Sequence, residues 1–339
     1  MPFGIVVAGL DHWYTAFGVL DGCTASEKAP LVGIAEPDPA RRAEVAAKYP
    51  NATVTEGLDA LLTREDVALV AICASTDRAP ALARAALQAG KHVVSVKPPA
   101  RTLAELDEVL AEAERAGRFF GSFEGMQRLH PRTTLLRDLV QGGAIGTPVS
   151  YHQIGHGGLP APWPGGASGA PSWWLDPERV PGGAWLDHAI YAVDLARFVF
   201  GGEITYAAGL IENRVYPDLG LEDYGAALMR LRPNQADAPA VSLIIEDTWA
   251  AKPGGGAHQA LILGTEGSIR PENAGWAVTK NGETTHHEVP ESRYFRFDLL
   301  ADLLTRGEAA PFGPADARAN LAACLAVYEA AAQTGSAAI

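Results

Sequence analysis

The sequence predicts an α/β domain built on a parallel sheet, followed by an α+β domain whose large open sheet is mainly antiparallel. Three observations lead there. The chain has 339 residues, enough for two domains at roughly 100–200 residues each. In its first third, short apolar runs alternate with amphipathic helical patterns, as parallel strands with covering helices do. After about residue 145, strand-like runs follow one another with few helices between them.

Taken in order, Phe3–Gly9 reads as a buried strand and Phe17–Leu20 as part of the helix after it. Leu31–Ala35 is the second strand, and Asp38–Tyr49 a helix with Pro39 at its start. Then come Leu58–Leu62, the strand Val67–Cys73, the helix Pro80–Ala89 ended by Gly90, and the strand His92–Val96. Leu103–Ala116 is a helix ended by Gly117, and Phe119–Phe123 is a further strand. The expected domains are residues 1–124 and 125–339. In the second, Pro148–Ile154, Ile204–Tyr216, Tyr224–Leu231, Val241–Thr248, Gln259–Leu263 and Gly275–Thr279 read as strands. Ala184–Val199 and Asp316–Gln333 read as helices. Residues 155–182 are rich in Gly, Pro and Trp, and so long a loop is usually functional or mobile.

Hydrophobic residues make up 47% and charged residues 20% of the chain, as in ordinary globular proteins. The net charge of −13 does not suit a phosphate-tracking surface, so no nucleic-acid partner is expected. The opening MPFGIVVAGL has no basic region and too short an apolar run for a signal peptide or membrane span. Cys23, Cys73 and Cys324 are an odd, widely spaced set, which predicts neither a disulfide framework nor a metal site. The pairs His286/His287 and His152/His156 lack Cys or carboxylate at ligand spacing. Together these features predict a soluble cytoplasmic protein with no membrane partner.

A dinucleotide site uses G-x-G-x-x-G at the first strand-to-helix turn, where backbone N–H groups meet the pyrophosphate. Here that turn reads Gly9-Leu10-Asp11-His12-Trp13-Tyr14, with the first glycine alone present. Asp11 is an awkward neighbour for a pyrophosphate and also suits a helix cap. Glu36 ends the second strand, 27 positions after Gly9 (36 − 9). A carboxylate there can accept both ribose hydroxyls and repels a 2′-phosphate, which favours NAD; it also fits as a solvated acid starting the turn at Pro37 and Asp38. Arg41 and Arg42 read as solvated helix residues, yet they keep NADP open. The first domain is therefore expected to be an α/β Rossmann domain that holds a nicotinamide cofactor.

The segment from Ala85 to Pro98, AALQAGKHVVSVKP, resembles the Gfo/Idh/MocA family, whose pattern is a helix ending A-G-K-H, a strand, then Glu-Lys-Pro. Lys97 and Pro98 match, and Val96 stands where the family has glutamate. Further on, the family has a glycine run, an Asp, a His four residues later and an Asp seven residues later. Gly182-Gly183-Ala184-Trp185-Leu186-Asp187 begins that segment here. Asp187 and Asp194 match, and Tyr191 takes the histidine position, as in the glucose–fructose oxidoreductase branch. Trp174-Leu175-Asp176-Pro177 and Arg128-Leu129-His130-Pro131 also resemble family segments, so the resemblance covers nearly the whole chain.

The resemblance implies an NAD(P)-dependent oxidoreductase acting on CH–OH groups. It would move a hydride between the nicotinamide and a hydroxyl or carbonyl carbon of a sugar, polyol or similar small compound. Two alternatives are a redox-neutral, NAD-using enzyme that cleaves glycosides or eliminates a substituent, and a catalytically silent NAD(P)-binding regulator. The implied catalytic residues are Lys97, Asp187 and Tyr191. Those implied for the cofactor are Gly9, Asp11, His12, Trp13, Glu36, Ala74, Ser75, Thr76, Lys97, Pro98 and Gln127. Lys97, Trp174 and His188 are candidates for the substrate, no metal is implied, and a homodimer or homotetramer through the second sheet is expected.

Residue chemistry agrees in kind. Lys97 follows a predicted parallel strand and so lies near the carboxyl edge of the sheet, where ligands bind. Its ammonium can stabilise a developing alkoxide. Asp187 and Tyr191 are four apart on a predicted helix, hence on one face. A free tyrosine, with a pKa of about 10, is a poor base at neutral pH, and a nearby cation would favour its phenolate. Tyr191 also fits as a half-buried helix residue and Asp187 as a first-turn acid favoured by the helix dipole. His188 lies about 100° round the helix and is a second acid/base candidate or a structural histidine. Trp163, Trp173 and Trp174 can form a platform for sugar rings or pack in the core.

Overall fold

The computed structural model describes residues 3–164, 172–290 and 295–333. It divides into two compact units, each discontinuous in sequence: Met1–Met126 with Pro160–Pro181 and Tyr294–Arg318, and Gln127–Leu159 with Gly182–Arg293 and Ala319–Ile339. The sequence reading makes a single cut after residue 124; the chain instead returns twice to the first unit. Residues 165–171 of the expected long loop lie outside the described residues.

The first unit carries strands β1 (Gly4–Ala8), β2 (Leu31–Ala35), β3 (Thr53–Thr55), β4 (Val67–Ile72), β5 (His92–Ser95) and β6 (Phe120–Ser122). Its helices are α1 (Trp13–Thr24), α2 (Pro39–Lys48), α3 (Asp59–Leu62), α4 (Ala79–Gln88) and α5 (Leu103–Ala116). The strands run parallel in the order β3-β2-β1-β4-β5-β6. Ile5, Val6, Val7, Leu69, Val70, Val93 and Val94 are fully buried, as strands covered on both faces must be. The order reverses between β1 and β4, which is where ligands bind in open α/β sheets. Local signals set the helix ends. Thr102 caps α5 by accepting from the Glu105 N–H, Gly117 closes it in the left-handed region, and Asp38 with Pro39 starts α2.

The second unit begins with α6 (Pro131–Gln141) and β7 (Pro148–His156). After α7 (Ala184–Phe200) come β8 (Gly202–Glu212), β9 (Tyr224–Pro233), β10 (Val241–Thr248), β11 (Ala257–Gly264), β12 (Gly267–Pro271), β13 (Gly275–Lys280) and β14 (Glu283–Glu288). The sheet order is β14-β13-β12-β11-β7-β10-β9-β8, antiparallel except for the β7–β10 pair. Alternation is clear on β9 and β10: Ala227, Met229, Leu231, Leu243 and Ile245 are buried, whereas Leu228 and Ile244 are exposed. Helix α7 packs on the sheet and is bound into the unit by a buried polar network. Arg128 donates to both Asp194 oxygens (3.1 and 2.7 Å), and Asn320 donates to Asp194 Oδ1 at 2.8 Å. Two further helices follow, α8 (Arg296–Thr305) in the first unit and α9 (Pro314–Gln333).

Among the described residues, no helix is long and apolar enough to cross a membrane. Strand β8 stops at Glu212, short of the expected Tyr216, while α6, α8, β3, β12 and β14 are additions to the sequence reading.

Candidate active site

In the first unit the carboxyl ends of β1, β2, β4 and β5 bring together Gly9, Glu36, Ala74 and Lys97. Gly9 has φ +76°, and a Cβ on it would lie 2.7 Å from the Ala74 Cβ, so only glycine lets the two turns meet. Asp11 does not cap α1; the residue before that helix is His12, which makes no side-chain cap. Instead Asp11 accepts from the Ser75 N–H (2.9 Å) and pairs with Arg41 (3.0 Å) and Arg78 (3.3 Å). Arg41 and Arg42 are correspondingly not solvated helix residues. The Arg41 guanidinium also lies 5.0 Å from the Trp163 ring centre, and Arg42 donates to the Glu36 and Pro37 carbonyls.

Glu36 is buried and accepts from the Asp38 N–H at 2.9 Å. Burial pushes its carboxyl above the usual range, with Asp11 adding to the rise; the Asp38 N–H, Arg41 and Arg78 offset part of it. Lys97 joins Pro98 through a cis peptide bond, and its Nζ lies 4.4 Å from the centre of the Trp174 ring.

These residues fit a dinucleotide in kind. Gly9 makes the close turn, Glu36 is an acceptor at the end of β2, and the buried Thr76 Oγ1 and Trp174 Nε1 have no hydrogen-bond partner among the described residues. In this conformation, however, the returning segment covers the edge. Trp173 donates to the Asp11 carbonyl (2.9 Å), Trp13 to the Ala161 carbonyl (3.1 Å), and Arg179 to Ser75 Oγ (2.6 Å). The His12 ring packs edge-on against Trp173 and Trp174, at 4.8 and 5.2 Å. His12, Glu36, Ser75, Thr76 and Lys97 are each 3% exposed or less. A cavity of about 140 Å³ remains among Asp11, Arg41, Trp163 and Trp173, below the roughly 300–1,000 Å³ of small-molecule pockets. Trp163 and Trp174 are buried, so neither offers a flat open platform.

In the second unit α7 presents Asp187, His188 and, one turn on, a half-buried Tyr191. The start of α7 is fixed by Glu222, whose buried carboxylate accepts from the Gly183 and Trp185 N–H groups and from the Tyr328 hydroxyl. Burial raises the Glu222 carboxyl, and those donors offset part of the rise. Asp187 is buried and accepts from Trp249 Nε1 at 3.0 Å. His188 Nδ1 lies 3.4 Å from Asp247 Oδ1 and 3.7 Å from Asp187 Oδ2. Gln127 also belongs to this unit, in the helical turn Gly125–Leu129. The sequence reading missed Asp247, Trp249 and Glu222. Asp247, at an inward-facing position of the strand Val241–Thr248, was the available signal, since buried acids are rare without partners.

Residues 3–123 match the oxidoreductase family with an NAD-binding Rossmann fold, and residues 133–270 match the GFO/IDH/MocA C-terminal domain. The chain belongs to the Gfo/Idh/MocA oxidoreductase family. It is 31% identical to a myo-inositol 2-dehydrogenase of Thermotoga maritima over 145 residues, covering 42% of this chain and 39% of that one. The chain thus spans less than half the length of this relative. An inositol 2-dehydrogenase of Acidothermus cellulolyticus is 28% identical over 78% of this chain and 70% of its own. The aldose-aldose oxidoreductase of Caulobacter crescentus, solved with glycerol, superposes with a TM-score of 0.80 at 19% identity, covering 98% of both chains. At that identity the likeness shows the Gfo/Idh/MocA fold.

Proposed function

We propose that this family member is an NAD(P)-dependent dehydrogenase or reductase of a sugar, polyol or similar small hydroxylated compound. The observation that carries the reading is Lys97, held at the carboxyl edge of a family Rossmann sheet, in a chain whose α7 carries Asp187 and Tyr191. The inositol and aldose oxidoreductases among its relatives support the substrate class. Gly9, Asp11, His12, Trp13, Glu36, Ala74, Ser75, Thr76, Pro98 and Gln127 are proposed for the cofactor, with NAD favoured by the Glu36 carboxylate. Bound NAD(P) supplies a hydride acceptor or donor. Lys97 holds the reacting oxygen and stabilises its charge, Tyr191 holds or releases its proton, and Asp187, fixed by Trp249, orients the hydroxyl.

Cofactor entry has to displace the contacts that Trp173, Ala161 and Arg179 make over the edge. That closed edge, with Asp11, Val96 and Tyr191 at altered family positions, favours a second reading: a cofactor-binding protein without turnover. We also propose a cytoplasmic homo-oligomer. Cys23, Cys73 and Cys324 are buried thiols, which a reducing compartment preserves. Tyr206, Leu210, Leu228, Ile244, Leu261 and Leu263 are each 41–51% exposed on one sheet face, a patch suited to a second copy.

Nicotinamide absorbance on a panel of inositols and aldoses, with NAD and NADP in turn, tests the reading. Turnover that falls about 10²–10⁴-fold in Lys97→Ala is expected. Full turnover in that variant, or none in the wild type, overturns it. Cofactor binding by calorimetry without turnover selects the second reading.

A further inference from the structure

Across the second sheet, β10, β7 and β11 place Asp247, Gly155 and His258 in one row, each paired with its neighbour in register. The middle position has no side chain. A Cβ on Gly155 would stand 2.9 Å from Asp247 Oδ2, so any other residue there would push the carboxylate aside. Asp247 itself is buried, 2% exposed. From α7, His188 comes to this row, with Nδ1 3.4 Å from Asp247 Oδ1 and its ring edge-on to His258 at 6.1 Å. The His188 side chain remains 40% exposed. A buried acid facing one ring nitrogen of a solvent-reaching histidine is an arrangement that fixes the ring and stabilises the imidazolium formed when its other nitrogen takes a proton.

We propose that His188, held by Asp247, is an acid/base group of the reaction in addition to Tyr191, with Asp247 as its positioning residue. The inference rests on the oxidoreductase reading above. In the oxidative direction the substrate O–H bond breaks and its proton passes, directly or by way of the Tyr191 hydroxyl, to His188 Nε2. The electron pair stays on oxygen and completes the carbonyl as the hydride leaves carbon for the nicotinamide. In reduction Nε2 returns the proton. Asp187, 3.7 Å away on the same helix, is bonded to Trp249. Glu246 belongs to the opposite face of β10, paired with His156 at 2.9 Å. The titratable groups that face His188 among the described residues include Asp187 from α7, Asp247 from β10 and His258 from β11.

The experiment is the pH profile of kcat/KM for oxidation of the panel compound turned over fastest, in wild type, His188→Gln and Asp247→Asn. It is run beside an NMR titration of the histidine rings in the wild type and Asp247→Asn. An oxidative base must be unprotonated, so wild-type activity rises through the His188 pKa. His188→Gln is expected to lose that acid limb and about 10²-fold in kcat/KM. Asp247→Asn, by removing the negative partner, is expected to move the limb and the His188 titration to lower pH by about one unit, with about tenfold lower kcat/KM. Unchanged melting shows that both variants fold. An active wild type whose profile survives in His188→Gln overturns the acid/base role, as does a His188 titration unmoved by Asp247→Asn. A wild type inert on every compound overturns the oxidoreductase reading, and this role with it; the titration then reports separately on the ion pair.

Discussion

At the carboxyl edge of the parallel sheet, Asp11, Ser75 and His12 already use their polar groups and ring faces on residues of the same unit. Trp173, Trp174 and Arg179 supply the partners. On the inner face of the second sheet the opposite holds: the acid is buried, but the histidine it faces keeps 40% of its side chain exposed. The first region must break contacts before it takes a ligand, whereas the second is assembled and accessible. The difference separates two energetic roles. Cofactor affinity is lowered by whatever closing contacts must be undone, while the proposed acid/base group, His188, already reaches solvent and depends on a rigid scaffold.

The largest effect is expected where that scaffold holds a buried ion pair. Asp194→Ala leaves the Arg128 guanidinium, now bonded at 2.7 and 3.1 Å, buried without its anion. Removing one partner of a buried pair costs about 3–5 kcal/mol. Calorimetric melting is expected to show the second unit destabilised by that amount. A loss below about 1 kcal/mol, the range of exposed pairs, would show that this helix is not held by the network and that the two regions do not differ in rigidity.

A smaller effect, of opposite sign for binding, is expected at the closed edge. Trp173→Ala removes the donor to the Asp11 carbonyl and the packing on His12. At about 1 kcal/mol for such a neutral contact, NADH affinity is expected to rise roughly fivefold, read by isothermal titration. Weaker binding would place the indole in the cofactor-bound site and reverse the reading of the edge as self-occluded.

The two regions were unequally legible. The parallel sheet could be read from apolar runs such as Val67–Cys73, because strands buried on both faces permit little else. The Lys97-Pro98 turn and Asp187 were found through motif spacing. The closing contacts could not be read, because Trp173 and Asp11 stand 162 positions apart and no local rule links an indole to a distant carbonyl. Helix α6 was missed because Thr133 and Thr134, poor helix formers, follow its opening Pro131. The edge strand β14 reads Glu-Thr-Thr-His-His-Glu, which has no apolar alternation to betray it. Asp194 was matched as part of a motif, but its structural partners Arg128 and Asn320 come from elsewhere in the chain.

The smallest effect expected sharpens the comparison from the first unit's side, through pH. His92 opens β5, accepts from the Phe119 N–H through Nδ1 at 2.9 Å and stacks on Phe3. Burial, with Arg118 adding to it, lowers its pKa to about 4 from 6.5. The unfolded chain therefore binds a proton between those values that the folded chain refuses. This contribution to stability is complete above pH 6.5 and is lost as pH falls toward 4. Because the ring is only partly buried, solvent screening reduces the loss, and a drop of a few degrees in the first unit's melting temperature is expected across that window. His92→Gln keeps an acceptor and has no proton to gain, so its melting temperature should fall less than the wild type's over the same pH range. Equal slopes would mean that another group governs acid sensitivity, and the neutral, closed character assigned to the parallel-sheet unit would then not extend to His92.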